Sequence, residues 1–404
     1  MKILHTADWH LGKQLEGYSR LDEQEIIMDQ LVEIAEAENI DMVLVSGDIF
    51  DTFNPPAEAE KLYYKTLQRL ADGGERLICL ISGNHDSPNR LAAPSPLSYT
   101  QGIIIMDRPS FEISPGKVGE YRIEDSGPGY IKMNLDGEKV VLLSLPYPSE
   151  SRLNTALGEI KEERDHQLRY SQKVGELFAE LEENYQENTI NIAMSHIFVA
   201  GGEESESERP IQVGGGMAVS RDQLPDRSQY TALGHLHRGQ KISNQYNAYY
   251  AGSPLQYSAS ERNQAKSVNI IEVSGDSSAD VEKVNLKNPK PIEEWRVESL
   301  EQARQKLRKN DKREVWAYLK IETPETLLQS EIKELKSIKK DLLSIIPLTP
   351  EEFSEEKKEE LEQNLNIEEL FREFYKQRRE TEPDEEIMEM FLDIVAEGEE
   401  DYEA

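Results

Sequence analysis

The 404-residue sequence has a single cysteine, Cys79, so no internal disulfide can form. That excludes a disulfide-stapled secreted scaffold and fits a reducing, cytoplasmic compartment. Cys79 lies in the apolar run RLICLI, where a thiol serves as a small buried hydrophobe rather than a nucleophile. Long apolar runs are lacking too. No stretch approaches the roughly 20 apolar residues of a membrane span, and the run opening MKILHTADWH is too short for a signal peptide. No membrane association is expected. Positive charge is scarce: 46 Lys and Arg stand against 78 Asp and Glu, a net charge of −32. Half of that excess sits in residues 351–404, which hold 22 acidic and 6 basic residues, against 56 and 40 in the rest of the chain. Such a chain should repel nucleic acid over most of its surface, so a nucleic-acid reading needs a local source of positive charge.

What is present is regular. The length points to two or three domains. Through residues 1–280, short apolar runs alternate with helical patterns. KILHT, MVLVSGD, RLICLISGN, KVVLLSLP, INIAMSH, YTALGH and SVNIIEV read as strands. Between the first two, DEQEIIMDQLVEIAEAENI places Ile27, Leu31, Ile34 and Ala35 on one helical face. A second helix is predicted over about 152–187. Strands alternating with helices predict an α/β domain. NPKPIEEW reads as a linker. Residues 286–348 predict a small α+β unit: a helix in SLEQARQKLRK, a strand in EVWAYLKIET and a helix in LLQSEIKELKSIKKDLLS. Residues 349–365 form a charged connector. Residues 366–404 predict two short amphipathic helices and an acidic tail. One helix carries Ile367, Leu370, Phe371 and Phe374; the other, opening near Pro383, carries Ile387, Met390, Phe391, Ile394 and Val395. Two such stripes beyond a charged connector suit docking on a partner better than packing on a distant core.

Five strands end in polar clusters: TADWH, SGDIFD, SGNHD, SHIF and GHLH. Strand C-terminal ends are where α/β sheets place ligands. The clusters supply Asp8, His10, Asp48, Asn84, His85, His196, His235 and His237, including five of the seven histidines. A mix of carboxylate, amide oxygen and imidazole suits divalent ions such as Mn²⁺, Fe or Zn²⁺. Two ions about 3.5–4 Å apart clamp the attacking and leaving oxygens of a phosphoryl displacement. Asp48, between the Asp8/His10 and Asn84 loops, is the natural bridging carboxylate. Asp8 and His10, like His235 and His237, are two positions apart, which puts both side chains on one side of an extended chain. Gly47, Gly83 and Gly234 permit tight turns or close backbone approach. His5, inside the first strand, reads as structural, and His166, in RDHQLRYSQ, as exposed. Asp51 and Asp86 read as residues that cap turns or orient the ligands. Burying so many polar groups without a metal would be costly.

In this order, DWH, GDIFD, GNHD, SH and GHLH resemble the five motifs of the calcineurin-like metallophosphoesterases. The fuller strings MKILHTADWHLGK, SGNHDSPNRL, ALGHLHRGQ and AGSPLQYS resemble the bacterial SbcD family, the nuclease subunits of SbcCD complexes, over most of residues 1–275. The resemblance implies a sandwich of two β-sheets flanked by helices for residues 1–280. It implies a capping domain that orients DNA over the active site for 286–348, a linker at 349–365, and a segment at 366–404 that binds an SbcC-type ABC ATPase at the base of its long coiled coil. It also implies two Mn²⁺ ions, with Mg²⁺, Fe or Zn²⁺ as alternatives. One would be held by Asp8, His10, His237 and the bridging Asp48, the other by Asp48, Asn84, His196 and His235. His85 would stay off the metals and protonate the leaving oxygen or stabilise its charge. The implied activity is cleavage of DNA ends and hairpins, exonuclease on duplexes and endonuclease on single strands, by a homodimer within a heterotetramer.

Lys13, Tyr18, Arg20 and Arg90 follow two of the motif loops and are candidates for DNA phosphate contact, Arg90 foremost. GGEESESERPIQVGGG reads as a loop near the site, with no assigned role. Two divalent ions would supply positive charge where phosphates must sit, a local answer to the acidic balance. Two rival readings stand. One is a general two-metal phosphoesterase acting on nucleotides or phosphoproteins, which would need neither cap nor partner helices. The other is a scaffold subunit with a dead site, which the complete ligand set disfavours.

Overall fold

Three apolar strands set the architecture: β1 (Lys2–Thr6), β2 (Met42–Ser46) and β3 (Leu77–Ile81). Successive side chains of a strand point to opposite faces, and here both faces are buried. Ile3, Met42, Leu44, Leu77, Cys79 and Ile81 enter one core, whereas Leu4, Val43, Val45, Ile78 and Leu80 enter another. Strands of this kind need cover on both sides. On one side, helices α1 (Leu21–Ala37) and α2 (Ala57–Leu70) bring Ile27, Leu31, Ala35, Leu62 and Leu67 onto Leu4, Val43 and Val45. On the other, a second sheet contributes Ile131, Met133, Leu142, Ile192 and Met194.

The computed structural model describes residues 1–149, 151–153, 163–208, 217–243, 245, 247–323, 327–353, 371–372, 375–376, 383 and 387–388. The chain divides into two compact units, Met1–Ile292 and Glu293–Ala404. In the first unit, a six-stranded sheet runs Asp280–Asn285, Ser267–Glu272, β1, β2, β3, Ile103–Met106. Its last four strands are parallel, and Ser267–Glu272 lies antiparallel to β1. The eight-stranded sheet contains β4 (Ile190–His196) and β5 (Tyr230–Gly234) as parallel neighbours. It continues through Glu138–Leu145 and Tyr130–Leu135 to Tyr121–Gly127 and Gly116–Val118. Helix α3 (Glu163–Glu182) covers its outer face, with Tyr170, Val174 and Phe178 packed among Leu145, Leu233 and Tyr250. The fold is a sandwich of two sheets flanked by helices. His5 stitches the sheets together: its Nδ1 lies 2.8 Å from the Tyr230 hydroxyl and its Nε2 3.0 Å from Ser46 Oγ. Burial lowers its pKa to about 3, so it is a neutral structural histidine.

In the second unit, strands Ile292–Val297, Trp316–Glu322 and Leu342–Leu348 form one sheet beside helices Leu300–Lys309 and Gln329–Ile338. Trp295, Leu307, Leu319, Leu335 and Leu342 form its core. Two sequence expectations change here. The linker read in NPKPIEEW gives way to a strand, because Trp295 is a core residue. The helix read in LLQSEIKELKSIKKDLLS ends at Ile338, and Leu342 and Leu343 open a strand that pairs with Trp316–Glu322. The strands Tyr121–Gly127 and Tyr130–Leu135 had no counterpart in the sequence pattern. They are half-exposed, and their alternate polar residues hide the apolar ones. Of the partner-binding candidates, Phe371 and Ile387 lie on helical backbone and are half-buried. Ile367, Leu370, Phe374, Met390, Phe391 and Ile394 lie outside the described residues.

Candidate metal centre and active site

The loops after β1 and β2 are zipped together by backbone hydrogen bonds. Asp8 N donates to Gly47 O (3.0 Å), His10 N to Asp48 O (3.0 Å) and Leu11 N to Ile49 O (2.9 Å). Asp8, His10 and Asp48 all take positive φ, at 53°, 45° and 50°. Strained backbone of this kind persists only where the surroundings over-determine it, and it concentrates at functional sites. The finding also corrects the simple picture of Asp8 and His10 on one side of an extended strand. A tight left-handed turn, not the pleat, brings them together. The glycines have equally specific reasons. A Cβ on Gly83 would overlap the Asp48 carboxylate, and one on Gly234 would overlap the Ser46 carbonyl.

Three groups of donors result among the described residues, and one of them, His10, Asp51 and His85, shares His10 with the first of the two expected from the motifs. Of those two, Asp8, His10 and His237 form one, and Asp48, His196 and His235 the other; within each, the donor atoms lie within 4.8 Å of one another. Asp48 Oδ2 stands between them, 3.7 Å from His10 Nε2 and 3.4 Å from His196 Nε2. Asn84 Oδ1 lies 2.9 Å from His196 Nε2 and 3.3 Å from His235 Nδ1. His10 Nε2 and His237 Nε2 face each other at 3.0 Å. Except for the half-buried Asp51 and Asn84, all of these residues are buried.

The electrostatics ask for cations. Burial pushes Asp8 up to about 7, against the pull of His196 and His237 and with Asp48 adding to the rise. Burial also lowers His10 to about 3 and His235 well below its ordinary value. Burial disfavours charge on both Asp48 and His196, but their mutual attraction wins: Asp48 falls well below the usual carboxylate range and His196 rises to about 9. The uncharged rings of His10 and His235, a shared carboxylate and an amide oxygen fit two divalent ions of intermediate softness, and an ion beside Asp48 would take the place of the proton it holds on His196.

His85 is placed differently. Its ring packs edge-on against His10, with centroids 4.7 Å apart. Its Nδ1 donates to the Asp51 carbonyl (2.7 Å), which leaves Nε2 on the metal side, 4.0 Å from Asp48 Oδ2. Asp86 does not touch it. The Asp86 carboxylate accepts from Gly83 N (2.8 Å), Phe50 N (3.0 Å) and Ile49 N (3.1 Å), tying the β2 and β3 loops together. Arg152, which sequence reasoning missed, braces the same loop from outside. It donates to Ser82 Oγ and Gly83 O, both at 3.0 Å, and to Asp86 O at 2.9 Å.

Comparison with known proteins shows the family. The family model for calcineurin-like phosphoesterases matches residues 1–239. The SbcD subunit of the SbcCD nuclease from Bacillus subtilis (strain 168) is 39% identical over 407 residues, covering 99% of both chains. The SbcD proteins of Staphylococcus epidermidis and Rhodobacter capsulatus are 32% and 35% identical; they cover 72% and 68% of this chain, and 71% and 67% of their own lengths is matched. The chain belongs to the calcineurin-like phosphoesterases, in the SbcD family.

Within this SbcD-family chain, the candidate DNA contacts fare unequally. Arg20 is corrected outright. It is fully buried, donating to Glu23 Oε2 (2.5 Å) and to Gln256 O (2.8 Å), and cannot reach a phosphate in solvent. Lys13 pairs with Asp51 at 2.9 Å and lies over the Tyr257 ring. Arg90 is exposed and donates to Glu60 (2.8 Å) and Asn54 (3.2 Å), and Tyr18 is exposed on a two-residue strand. Sequence reasoning also missed Ser207, Glu208, Glu261 and Lys266. Ser207 Oγ lies 2.5 Å from His237 Nδ1, and Glu208 accepts from His237 N at 2.7 Å. Burial alone would raise the Glu261 carboxyl, but Lys266 and His237 hold it well below the usual range. For Ser207 and Glu208 the signal was compositional, the run SESE in a loop without an assigned role, and nothing in the sequence pattern singled out Glu261 or Lys266. Among the described residues, no helix is long and apolar enough to cross a membrane.

Proposed function

We propose that the chain is the nuclease subunit of an SbcCD-type complex. It hydrolyses phosphodiester bonds at DNA ends and hairpins with two divalent ions, Mn²⁺ foremost, in repair, replication and recombination. The observation that carries this reading is the pair of donor groups with Asp48 between them, and His85 beside them with only its Nε2 facing the site. Asp8, His10, Asp48 and His237 would hold one ion, and Asp48, Asn84, His196 and His235 the other. Bound there, the ions would lower the pKa of a water and offset charge on the phosphoryl oxygens.

The chain's own residues do the rest. The Asp51 carbonyl fixes the His85 ring so that Nε2 faces the site. A proton on that nitrogen would pass to the leaving oxygen, or its charge would stabilise that oxygen. Asp86 and Arg152 keep the loop in place. The ions also supply positive charge in a chain of net −32, so DNA affinity should depend on the metals and on a partner.

Likeness to a known SbcD protein over almost the whole chain favours this reading over a general phosphoesterase acting on nucleotides or phosphoproteins. Residues 286–348 would then orient DNA, and residues 366–404 would dock on an SbcC-type ATPase. A homodimer is supported by an apolar groove lined by Tyr64, Leu67, Pro94, Leu97 and Ile105, whose Leu97 is 78% exposed. A cytoplasmic location agrees with the single, buried cysteine. The deciding experiment digests end-labelled duplex and hairpin DNA with Mn²⁺. His85→Ala should lower the rate at least about 100-fold, the lower range for a lost general acid or base, while Mn²⁺ binding persists. Undiminished digestion by both His85→Ala and Asn84→Ala would sink the assignment.

A further inference from the structure

Two short segments of the pattern Ser-x-Ser-Glu embrace His237: Ser205–Glu206–Ser207–Glu208 and Ser258–Ala259–Ser260–Glu261. In each, the glutamate accepts from its own leading serine. Glu208 Oε2 takes the Ser205 amide (2.6 Å) and hydroxyl (2.7 Å), and Glu261 Oε1 takes the Ser258 hydroxyl (3.2 Å). The segments are joined by Glu206 N donating to Ser260 Oγ at 3.1 Å. We propose that this paired clamp selects the tautomer of His237, with Ser207 as the positioning residue that leaves Nε2 unprotonated toward the metal. The inference rests on His237 being a metal ligand.

The argument is one of proton counting. Glu261 is wholly buried and receives donors from every side: Ser207 Oγ (2.5 Å), Tyr257 N (3.1 Å), Ser258 Oγ, Ser253 Oγ (3.4 Å) and Lys266 Nζ. Paired with a buried ammonium, this carboxylate is an acceptor only. A serine hydroxyl has one proton, and Ser207 gives it to Glu261. Toward His237 Nδ1, 2.5 Å away, the Ser207 oxygen can therefore only accept. The imidazole proton then sits on Nδ1, and Nε2 carries the lone pair.

The backbone of His237 is held as firmly. Its N–H donates to Glu208 Oε1 at 2.7 Å, and its carbonyl accepts from Lys266 Nζ at 2.9 Å and Ser253 N at 3.1 Å. Every polar atom of the residue except Nε2 is thus occupied from behind. An imidazole ligand backed in this way is oriented and made more basic, and losing the backing typically costs roughly 10–100-fold in metal affinity.

The test uses the full-length chain with ¹⁵N-labelled histidine. In the metal-free protein, long-range ¹H–¹⁵N spectra, with His237 assigned from its loss in His237→Asn, should report the proton on Nδ1. Mn²⁺ titration followed by electron paramagnetic resonance should find two ions in the wild type. Ser207→Ala should weaken one of them about 10- to 100-fold and leave the other unchanged, and Ser207→Thr should restore it. A wild-type proton on Nε2, or Ser207→Ala binding both ions with wild-type affinity, overturns the clamp. A wild-type chain that binds no Mn²⁺ overturns the metal reading instead, and the spectrum still decides the tautomer.

Discussion

Arg20 and Arg90 look alike in the sequence, each a basic residue a few positions beyond a histidine motif. Their surroundings separate them. Arg20 is buried against Glu23 and the Gln256 carbonyl, so Arg20→Ala would strand a buried carboxylate. The expected cost is about 3–5 kcal/mol, read as a lower urea midpoint at unchanged slope. Arg90→Ala, on an exposed ion pair, should move the midpoint little. If the two variants unfold alike, the structural role given to Arg20 is wrong. His10 and His85 make the same point. They are in ring contact, and what differs is which acceptor Nδ1 finds. His85 Nδ1 bonds the Asp51 carbonyl, whereas His10 Nδ1 lies 3.5 Å from the Asp51 carboxylate. No sequence pattern encodes that difference.

At the scale of elements, the site is five strand ends, and these were legible. Apolar runs ending in a cluster with a metal-type residue, preceded by glycine in β2, β3 and β5, identify β1 to β5, and all seven proposed ligands lie at or just after their ends. What was not legible is how the ends meet. The left-handed turns at Asp8, His10 and Asp48 depend on hydrogen bonds between loops distant in sequence. The SESE segment reaches His237 only because the fold brings Glu261 and Lys266 up behind it. The half-exposed strands at Tyr121–Leu135 were hidden by their own polar residues, since a pattern of period 2 is weak where one face meets water. Gly83 tests the close approach of the β2 and β3 loops. Gly83→Ala should keep the far-ultraviolet spectrum, because the clash is local, yet lose Mn²⁺ binding by displacing Asp48. A variant that titrates like the wild type would show that the loops have room to part.

For the whole molecule, charge and apolar surface point to assembly rather than solitary action. Leu97→Asp should convert the proposed dimer to a monomer in sedimentation, since it puts a charge into the groove that a second copy would cover. Sedimentation unchanged from the wild type would exclude this face as the contact. Removing residues 360–404 should abolish co-purification with an SbcC-type ATPase and leave Mn²⁺-dependent hydrolysis of a small phosphodiester intact. Retained co-purification would mean that the partner grips another part of the chain.

The place of β1 in its sheet bears on how the protein is made. Strand β1 is flanked by β2 on one side and, on the other, by Ser267–Glu272, made much later in the chain. Asp8 accepts a hydrogen bond from the backbone of His235, 227 residues away in sequence. The first ligands to be translated therefore wait for the last ones, and the sheet keeps an open edge until Ser267–Glu272 emerges. A chain halted before residue 196 holds Asp8, His10, Asp48 and Asn84 without the three histidines that would complete the two proposed ion sites. The seven proposed ligands can meet only once residue 237 has been made, so metal binding should appear late in the synthesis of the first unit.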